Sequence, residues 1–437
     1  MLEESDLKRG TMARADPADR QQLILYDPLS DARRGGPAPL GPEGPMTFRD
    51  PTGEPFDIPV EAARYYFQDP RARGASWNVE LIDACTMACR HCYQNIRKVD
   101  PWERPANPHL EGWPRLAAGL LAQRPAEVSL TGGETLLSDG LLPLLEYLTA
   151  AEGTPRCRVL LSGIALSQRK SFRALLPQLS QQGVAVKVPI YACQPLLHDW
   201  VTRAPGSLAD TLVLIECLRE AGVATTVSYL ILGACADAAE DTIGWLRERV
   251  GGQFTVSSLI YPPRDSGRRA STGAHLMSPR QLGRLLARQP FAALPVEYVS
   301  LQPRCASGCR FPTIRTSGEV LRCAVIAGSV CGNCYEDGSA LGRATVGNVW
   351  DGGEAAAGPC ADCFAESLCK RCVAFVSSPR PDPGYCELVR CCAKVVARRI
   401  QKALDEGYRF VHPYAAAIWL RFSEAAAPIR EPSAAPE

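Results

Sequence analysis

Net charge is nearly missing from this sequence: 48 Lys and Arg stand against 47 Asp and Glu, a formal +1. Such a balance argues for neither a basic nucleic-acid-binding face nor an acidic interaction tail. Long apolar runs are missing too; none approaches the roughly 18 residues of a membrane helix, so no membrane partner is expected. The opening MLEESDLKRGTMARAD lacks the apolar core of a secretory signal. A cytoplasmic location is therefore the expectation, and structural disulfides are scarce there.

Against these absences stands one excess, 19 cysteines in 437 residues. An odd count with tight local spacings favours metal ligation over disulfides. Disulfides across these spacings would also leave the first two-thirds of the chain nearly unstapled. Otherwise the composition is ordinary for a globular protein, 46% hydrophobic and 22% charged, and the length suffices for two or three cores.

Residues 1–72 are rich in Pro, Gly and Arg; DPTGEP at 50–55 reads as a hairpin turn, giving a short β-ribbon after a mobile first forty residues. The last residues, EAAAPIREPSAAPE, read as a disordered tail. From about 76 to 290 short apolar strands alternate with amphipathic helices. Strands are predicted at 78–82, 127–131, 158–162, 184–190, 223–232 and 254–260. Helices are predicted at 139–150, on a stripe of Leu141, Leu144, Leu145 and Leu148, and at 207–221, opening at Ser207 and stopping at Gly222. A later helix opens at Ser278-Pro279. Six such units predict an α/β fold, a parallel sheet closed into a partial (β/α)6 TIM-like barrel, with the chemistry at the C-terminal strand ends. From about 303 to 392 the composition turns to Cys, Gly and irregular turns, which reads as a metal-stapled domain.

DACTMACRHCY follows the first predicted strand and gives Cys85, Cys89 and Cys92 in C-x3-C-x2-C spacing. Three thiolates on one loop can hold three irons of a 4Fe–4S cube and leave the fourth open to a chelating ligand. The same spacing serves as part of a zinc site, given a fourth protein ligand. After the second strand comes TGGET, with Gly132, Gly133 and Glu134. Together these residues resemble the radical S-adenosylmethionine (radical SAM) superfamily over roughly 78–290.

The resemblance implies that S-adenosyl-L-methionine chelates the open iron and is cleaved by one electron to a 5′-deoxyadenosyl radical, which abstracts a hydrogen atom from substrate. It implies a low-potential electron donor such as a flavodoxin or ferredoxin. It places Gly132 and Gly133 beside the methionine ammonium, where a missing Cβ permits close approach, with Glu134 completing that motif. Ser162 would contact the ribose or carboxylate, and His91 would lie against the adenine. At the fourth strand the chain departs from the family, with Pro189 in VPIYA where relatives often carry a serine. HDWVTRAPGS matches a family segment, with His198 and Asp199 read as capping and salt-bridge groups.

The later cysteines resemble the superfamily's SPASM extension, in C-x12-G-x4-C (Cys305, Gly318, Cys323) and C-x2-C-x5-C (Cys360, Cys363, Cys369), then Cys372 and Cys386. By that resemblance Cys305, Cys309, Cys323 and Cys372 hold one auxiliary 4Fe–4S cluster, and Cys360, Cys363, Cys369 and Cys386 the other. TSGEVLRC reads as a hairpin, with Gly318 at its turn, and VGNVW at 346–350 matches a stretch between the two cysteine groups. The Cys369–Cys372 spacing is one residue short of most relatives, and the extra pair Cys331/Cys334 is a candidate replacement ligand or separate site. Structural zinc is the alternative for the whole region. Cys157 and Cys217 read as core, Cys391 and Cys392 as adjacent positions of a helix, and Cys193 and Cys235 as near the active face.

The domain division expected is 1–72 (extension), 73–300 (barrel), 301–392 (SPASM) and 393–437 (helix and tail). SPASM relatives modify peptides or proteins, or oxidise small metabolites such as tetrapyrrole precursors. Ala324, where sulfatase-maturing members carry an acid, argues against that role. A peptide or protein side chain is the first expectation and a small metabolite the second. A zinc-stapled binding scaffold is the non-enzymatic alternative. Arg264, after the sixth strand, reads as a solvated loop arginine or as a clamp for a substrate carboxylate.

Overall fold

The computed structural model describes residues 75–94, 96–100, 103, 112–150, 155–163, 170–251, 253–264, 275–288, 298, 311–346, 372–376 and 382–405, the strands at 46–49 and 55–58, and positions 363, 365 and 369. Strands β1 (Met46–Arg49) and β2 (Pro55–Ile58) pair antiparallel, Met46 opposite Ile58, on either side of DPTGEP. The expected ribbon is there. The first forty residues, the C-terminal tail, Cys305, Cys309, Cys360 and residues 347–350 of VGNVW lie outside the described residues.

Strand β3 (Ser76–Ile82) leads into β4 (Ala84–Cys85), which pairs in parallel with β5 (Arg97–Lys98). Helix α1 (Trp113–Ala122) precedes β6 (Glu127–Gly132), and α2 (Leu141–Thr149) precedes β7 (Arg156–Leu160). Then follow α3 (Leu176–Gln181), β8 (Ala185–Ile190), α4 (Pro195–Thr202), α5 (Ser207–Glu220), β9 (Thr225–Leu230), α6 (Ala239–Val250) and β10 (Phe254–Ser257). All six long strands run parallel, in the order β10-β9-β8-β7-β6-β3. The sheet is a partial barrel. Its register shifts between Glu80 and Ile82, an irregularity that bends β3 out toward the cysteine loop.

Two apolar cores hold the helices to the sheet. One gathers α1, α2 and α3 over β3, β6, β7 and β8, with Leu144, Leu145 and Leu148 of the predicted stripe fully buried. The i, i+3, i+4, i+7 pattern aims those leucines at one face, and truncating any of them to Ala costs about 2–5 kcal/mol. The second core lies under β9, β10, α6, helix α7 (Pro279–Arg288) and the C-terminal segment.

Helix α7 starts as expected: Gln281 N–H donates to Ser278 Oγ at 3.2 Å and Ser278 N–H to Gln281 Oε1 at 2.9 Å, a reciprocal capping box. Helix α5 does not start on a Ser207 cap. Gly206, at φ 79°, is the cap position, and the capping group comes from α4. Asp199 accepts from Gly206 N–H at 2.6 Å and Leu208 N–H at 3.2 Å. Ser207 turns inward, donates to Asp199 and meets His198 Nδ1 at 3.0 Å.

The C-terminal segment joins the same sheet. Strand β11 (Thr313–Ile314) pairs in parallel with β3, and β12 (Glu319–Leu321) and β13 (Val330–Asn333) follow antiparallel. TSGEVLRC is the hairpin predicted, and Gly318 turns it at φ 85° with Tyr335 and Asn333 packed where a Cβ would lie. Helices α8 (Ser339–Thr345), α9 (Val373–Val376) and α10 (Pro383–Asp405) complete the described fold.

Candidate active site

A cavity of about 540 Å³ opens at the C-terminal ends of the parallel strands. Five of the long strands and their ends contribute: Thr131 to Gly133 at the end of β6, Leu160 to Ser162 at the end of β7, Lys187 and Pro189 on β8, Ser228 and Leu230 on β9, and Leu259 to Tyr261 beyond β10. The loop after β3 adds Cys85, Cys89 and Cys92, the three predicted ligands, together with His91 and Tyr93.

That loop is held by helix α4. A helix leaves its last carbonyls without intrahelical partners; here Thr202 accepts from Ala88 N–H at 3.0 Å, Val201 from Arg90 N–H at 2.9 Å, and Trp200 from Arg90 Nε at 2.9 Å. The Arg90 guanidinium also stacks on Trp200, 4.2 Å from the ring centroid. Burial, then Cys92, pushes the Cys89 thiol up to about 12; burial, then Glu134, raises Cys85, and burial raises Cys92. Such thiols stay protonated at neutral pH until a cation compensates the thiolate charge, which is what iron ligation supplies. Among the described residues no three His, Cys, Asp or Glu side chains converge on a single-ion position. Three thiols spread along one cavity wall suit a cube with one open iron, so the residues present fit the cluster.

The glycine pair has an internal reason as well as the expected external one. A Cβ on Gly133 would lie 1.8 Å from Ala84 O, and one on Gly132, at φ 122°, 2.4 Å from Ile82 O. Bare backbone lets the end of β6 dock on the start of the cysteine loop, where Gly133 N–H donates to Ile82 O at 2.7 Å and Glu134 N–H to Ala84 O at 3.0 Å. Glu134 is fully buried, and its carboxylate accepts from Leu136 N–H at 3.3 Å, from Ser162 N–H at 3.1 Å and from the Ser162 hydroxyl. Burial raises its pKa. Glu134 thus ties the ends of β3, β6 and β7 together, while Gly132, Gly133, Ser162 and His91 face the cavity. The His91 ring sits 4.8 Å from Tyr191, its Nδ1 has no hydrogen-bond partner among the described residues, and burial pushes its pKa down to about 4.

Arg264 differs from both readings of the sequence. Its side chain is 2% exposed and forks onto Glu80 of β3 at 2.7 and 3.0 Å, with a third bond to Ala324 O at 3.0 Å. Glu80 also accepts from Gln94 at 2.9 Å, and Arg264 N–H donates to Tyr93 O at 2.8 Å. The arginine is an internal clamp between the cysteine loop, β3 and the residue after Cys323. The signal was the acid inside the apolar strand NVELI. Likewise Lys187, flanked by buried Val186 and Val188, marks the cavity-facing side of β8.

Among the later cysteines, Cys323, Cys363, Cys369 and Cys372 pack in the second core, where Tyr93 and Tyr261 also pack. Cys331 and Cys334 pack in the other core, apart from them. Cys386 lies in the first turn of α10. Cys157, Cys235 and Cys392 are buried apolar positions, and Cys217 packs on the first core. Cys193 and Cys235 do not line the strand-end cavity.

A parallel partial barrel with three loop thiols and a glycine pair at its strand ends suits an iron–sulfur cluster with S-adenosylmethionine on its open iron. Comparison gives a family likeness: residues 79–246 match the Radical SAM superfamily. The sporulation killing factor maturation protein SkfB of Bacillus subtilis (strain 168) is 27% identical over 168 residues, 38% of this chain and 38% of SkfB. A GTP 3′,8-cyclase of Xanthomonas campestris pv. campestris (strain 8004) is 25% identical over 263 residues, 59% of this chain and 73% of the cyclase. Among solved structures, anSMEcpe with bound AdoMet superposes with a TM-score of 0.56 at 13% identity, over 79% of this chain and 98% of that one. Streptococcus suis SuiB bound to precursor peptide SuiA gives 0.52 at 14%, over 75% and 80%. These two share the fold. Among the described residues no helix is long and apolar enough to cross a membrane.

Proposed function

We propose that this chain is a radical SAM/SPASM oxidoreductase that removes a hydrogen atom from a peptide or protein side chain. The observation that carries it is the convergence of Cys85, Cys89 and Cys92 with Gly132 and Gly133 on one strand-end cavity. When bound, the cluster and S-adenosylmethionine supply one-electron cleavage to a 5′-deoxyadenosyl radical. The chain's own part is placement and shielding. The three thiols hold the irons, the glycine backbone meets the methionine ammonium, and Ser162 and His91 flank the nucleoside. Leu160, Leu161, Leu230, Leu259 and Ile260 exclude water from the cavity.

Cys305, Cys309, Cys323 and Cys372, and Cys360, Cys363, Cys369 and Cys386, are assigned to two auxiliary clusters in residues 301–392, behind a barrel at 73–300. The separate packing of Cys331 and Cys334 supports leaving them out. Residues 1–72 and 393–437 are flanking segments in this division. A flavodoxin- or ferredoxin-class donor supplies the electron. SkfB, a maturation protein by name, and the complex of SuiB with its precursor peptide support a peptide substrate.

A second reading, a small anionic metabolite, is favoured by the longer match to GTP 3′,8-cyclases and by a cavity lining that, among the described residues, holds Lys187 and Arg203 and no carboxylate side chain. The test is anaerobic turnover with dithionite and S-adenosylmethionine, following 5′-deoxyadenosine. Stimulation by a short peptide encoded beside the gene supports the first reading, and stimulation by GTP alone the second. No 5′-deoxyadenosine from iron-replete protein overturns both.

A further inference from the structure

Two residues that each directly follow a cysteine are tied to one buried arginine. Tyr93, next after Cys92, accepts through its carbonyl from Arg264 N–H at 2.8 Å. Ala324, next after Cys323, accepts through its carbonyl from the Arg264 guanidinium at 3.0 Å. The same guanidinium forks onto both oxygens of Glu80, at 2.7 and 3.0 Å, and Gln94 donates to Glu80 at 2.9 Å. A planar fork fixes direction as well as distance. With 2% of the Arg264 side chain and 6% of that of Glu80 exposed, water offers little substitute for these partners.

Glu80 stands at a sensitive place on β3. It lies opposite Thr131, the residue before Gly132, and the register shifts just beyond it, between Glu80 and Ile82. The Ile82 carbonyl then accepts from Gly133 N–H at 2.7 Å. The clamp thus reaches two walls of the strand-end cavity, the loop wall through Tyr93 and Gln94 and the glycine wall through β3 and Thr131. Its other arm ends beside Cys323, just past β12, in the apolar core where Tyr93 also packs.

Stability alone does not call for such a pair, because apolar residues of similar volume often serve as well or better. What apolar contact does not supply is a rigid connection with three set directions. Two arrangements differ at one bond: Ala324 O held on the guanidinium, or released from it. A ligand that favours the held arrangement shifts the balance between them.

We propose that Arg264 is a positioning residue for the S-adenosylmethionine site and couples that site to the later cysteine region. Order at Cys323 and Ala324 tightens the ligand's site, and bound ligand orders residues 319–334 in return, since such coupling is reciprocal. The inference rests on the reading of the strand-end cavity given above, and it holds whichever metal the later cysteines bind.

The experiment is hydrogen exchange on the full chain, iron-replete and without reductant, with and without S-adenosylmethionine. It compares wild type, Arg264→Lys, and a Glu80→Met, Arg264→Met double variant that removes both charges together and leaves no buried ion alone. In wild type the ligand should slow exchange in 319–334 as well as at the Gly133 and Glu134 amides. In the double variant it should still protect those two amides, while protection of 319–334 disappears and calorimetry finds the Kd raised about tenfold at equal iron. Arg264→Lys keeps the charge without the fork and should fall between. A clamp that only stabilises would lower the urea midpoint and leave both the protection pattern and the Kd alone. No slowing in 319–334 of the wild type overturns the coupling however the variants fold, and so does a double variant that keeps that protection and the Kd. An iron-replete wild type that does not bind S-adenosylmethionine overturns the reading of the cavity, and this inference with it.

Discussion

The two cysteine-bearing regions are built on different supports. The first loop is pinned at both ends by backbone: β4 pairs with β5, and the loop's amides cap the last turn of α4. Its shape comes from hydrogen bonds that the chain makes without metal. The described later cysteines ride on smaller pieces, the three-residue β12, the four-residue α9 and the first turn of α10, gathered by an apolar core. Regions so short in regular structure draw much of their folding energy from ligation. On the proposed assignment, one site is prepared for its cluster by the fold and the other is completed by its clusters.

The largest test of that contrast removes the first site alone. Cys85→Ala, Cys89→Ala, Cys92→Ala should lower iron from about twelve to about eight and reduce 5′-deoxyadenosine formation to background. Circular dichroism should stay near native, because the backbone–backbone bonds that join the loop to α4 and β4 to β5 involve no thiol. Loss of all iron would break the comparison by showing that the regions assemble together. Iron chelation is the converse. Hydrogen exchange should then rise in 319–345 and 372–395 far more than in the Ala88 and Arg90 amides.

Arg264 is where the two regions touch. Arg264→Met leaves the Glu80 carboxylate buried and unpaired, and a broken buried pair costs about 3–5 kcal/mol, to be read from the urea midpoint. Because the guanidinium also holds Ala324 O, the C-terminal signals should unfold with the barrel in wild type and ahead of it in the variant.

A smaller effect sharpens the account of the loop's support. His198 is fully buried against Ser207, and desolvation holds its pKa down at about 4 from an ordinary 6.5. The unfolded chain binds that proton first, so stability is complete above about pH 6.5 and is lost as pH falls toward 4. At about 1.36 kcal/mol per pKa unit this amounts to about 3 kcal/mol, and His198→Gln should flatten the profile in that window. The smallest change is Asp199→Ala, the loss of a borrowed cap, costing about 1 kcal/mol. Thermal denaturation should register it with iron content unchanged.

Much of this was legible in the sequence where the signal was local. The strand sequence, the leucine stripe, the Ser278 cap and the Gly318 hairpin each depend on a few neighbouring residues, and each is found in the structure. The loop cysteines and Gly132–Gly133 were legible as spacing, and the structure brings them to one cavity. What escaped depends on distant partners. Ser207 looks like a cap because Asp199 does its work from another helix. Arg264 looks like a solvated or substrate-facing arginine until Glu80, 184 residues away, is placed beside it. That β11 adds to β3 left no mark, since two residues of strand carry no periodicity.

That added strand has a consequence for the order of synthesis. The outer edge of β3, the strand that leads into the first cysteine loop, is closed by residues 313 and 314, and Asn78 meets Thr313 across 235 positions of chain. At about 5–20 residues per second the ribosome delivers that partner roughly 10–50 s after β3 itself has emerged. Through that interval the strand presents unpaired amides and carbonyls, the surface that invites pairing with a neighbouring chain. Overexpression should therefore strain this protein through nascent chains truncated before residue 313, whose barrels are fully written but open on the side where the cysteines stand.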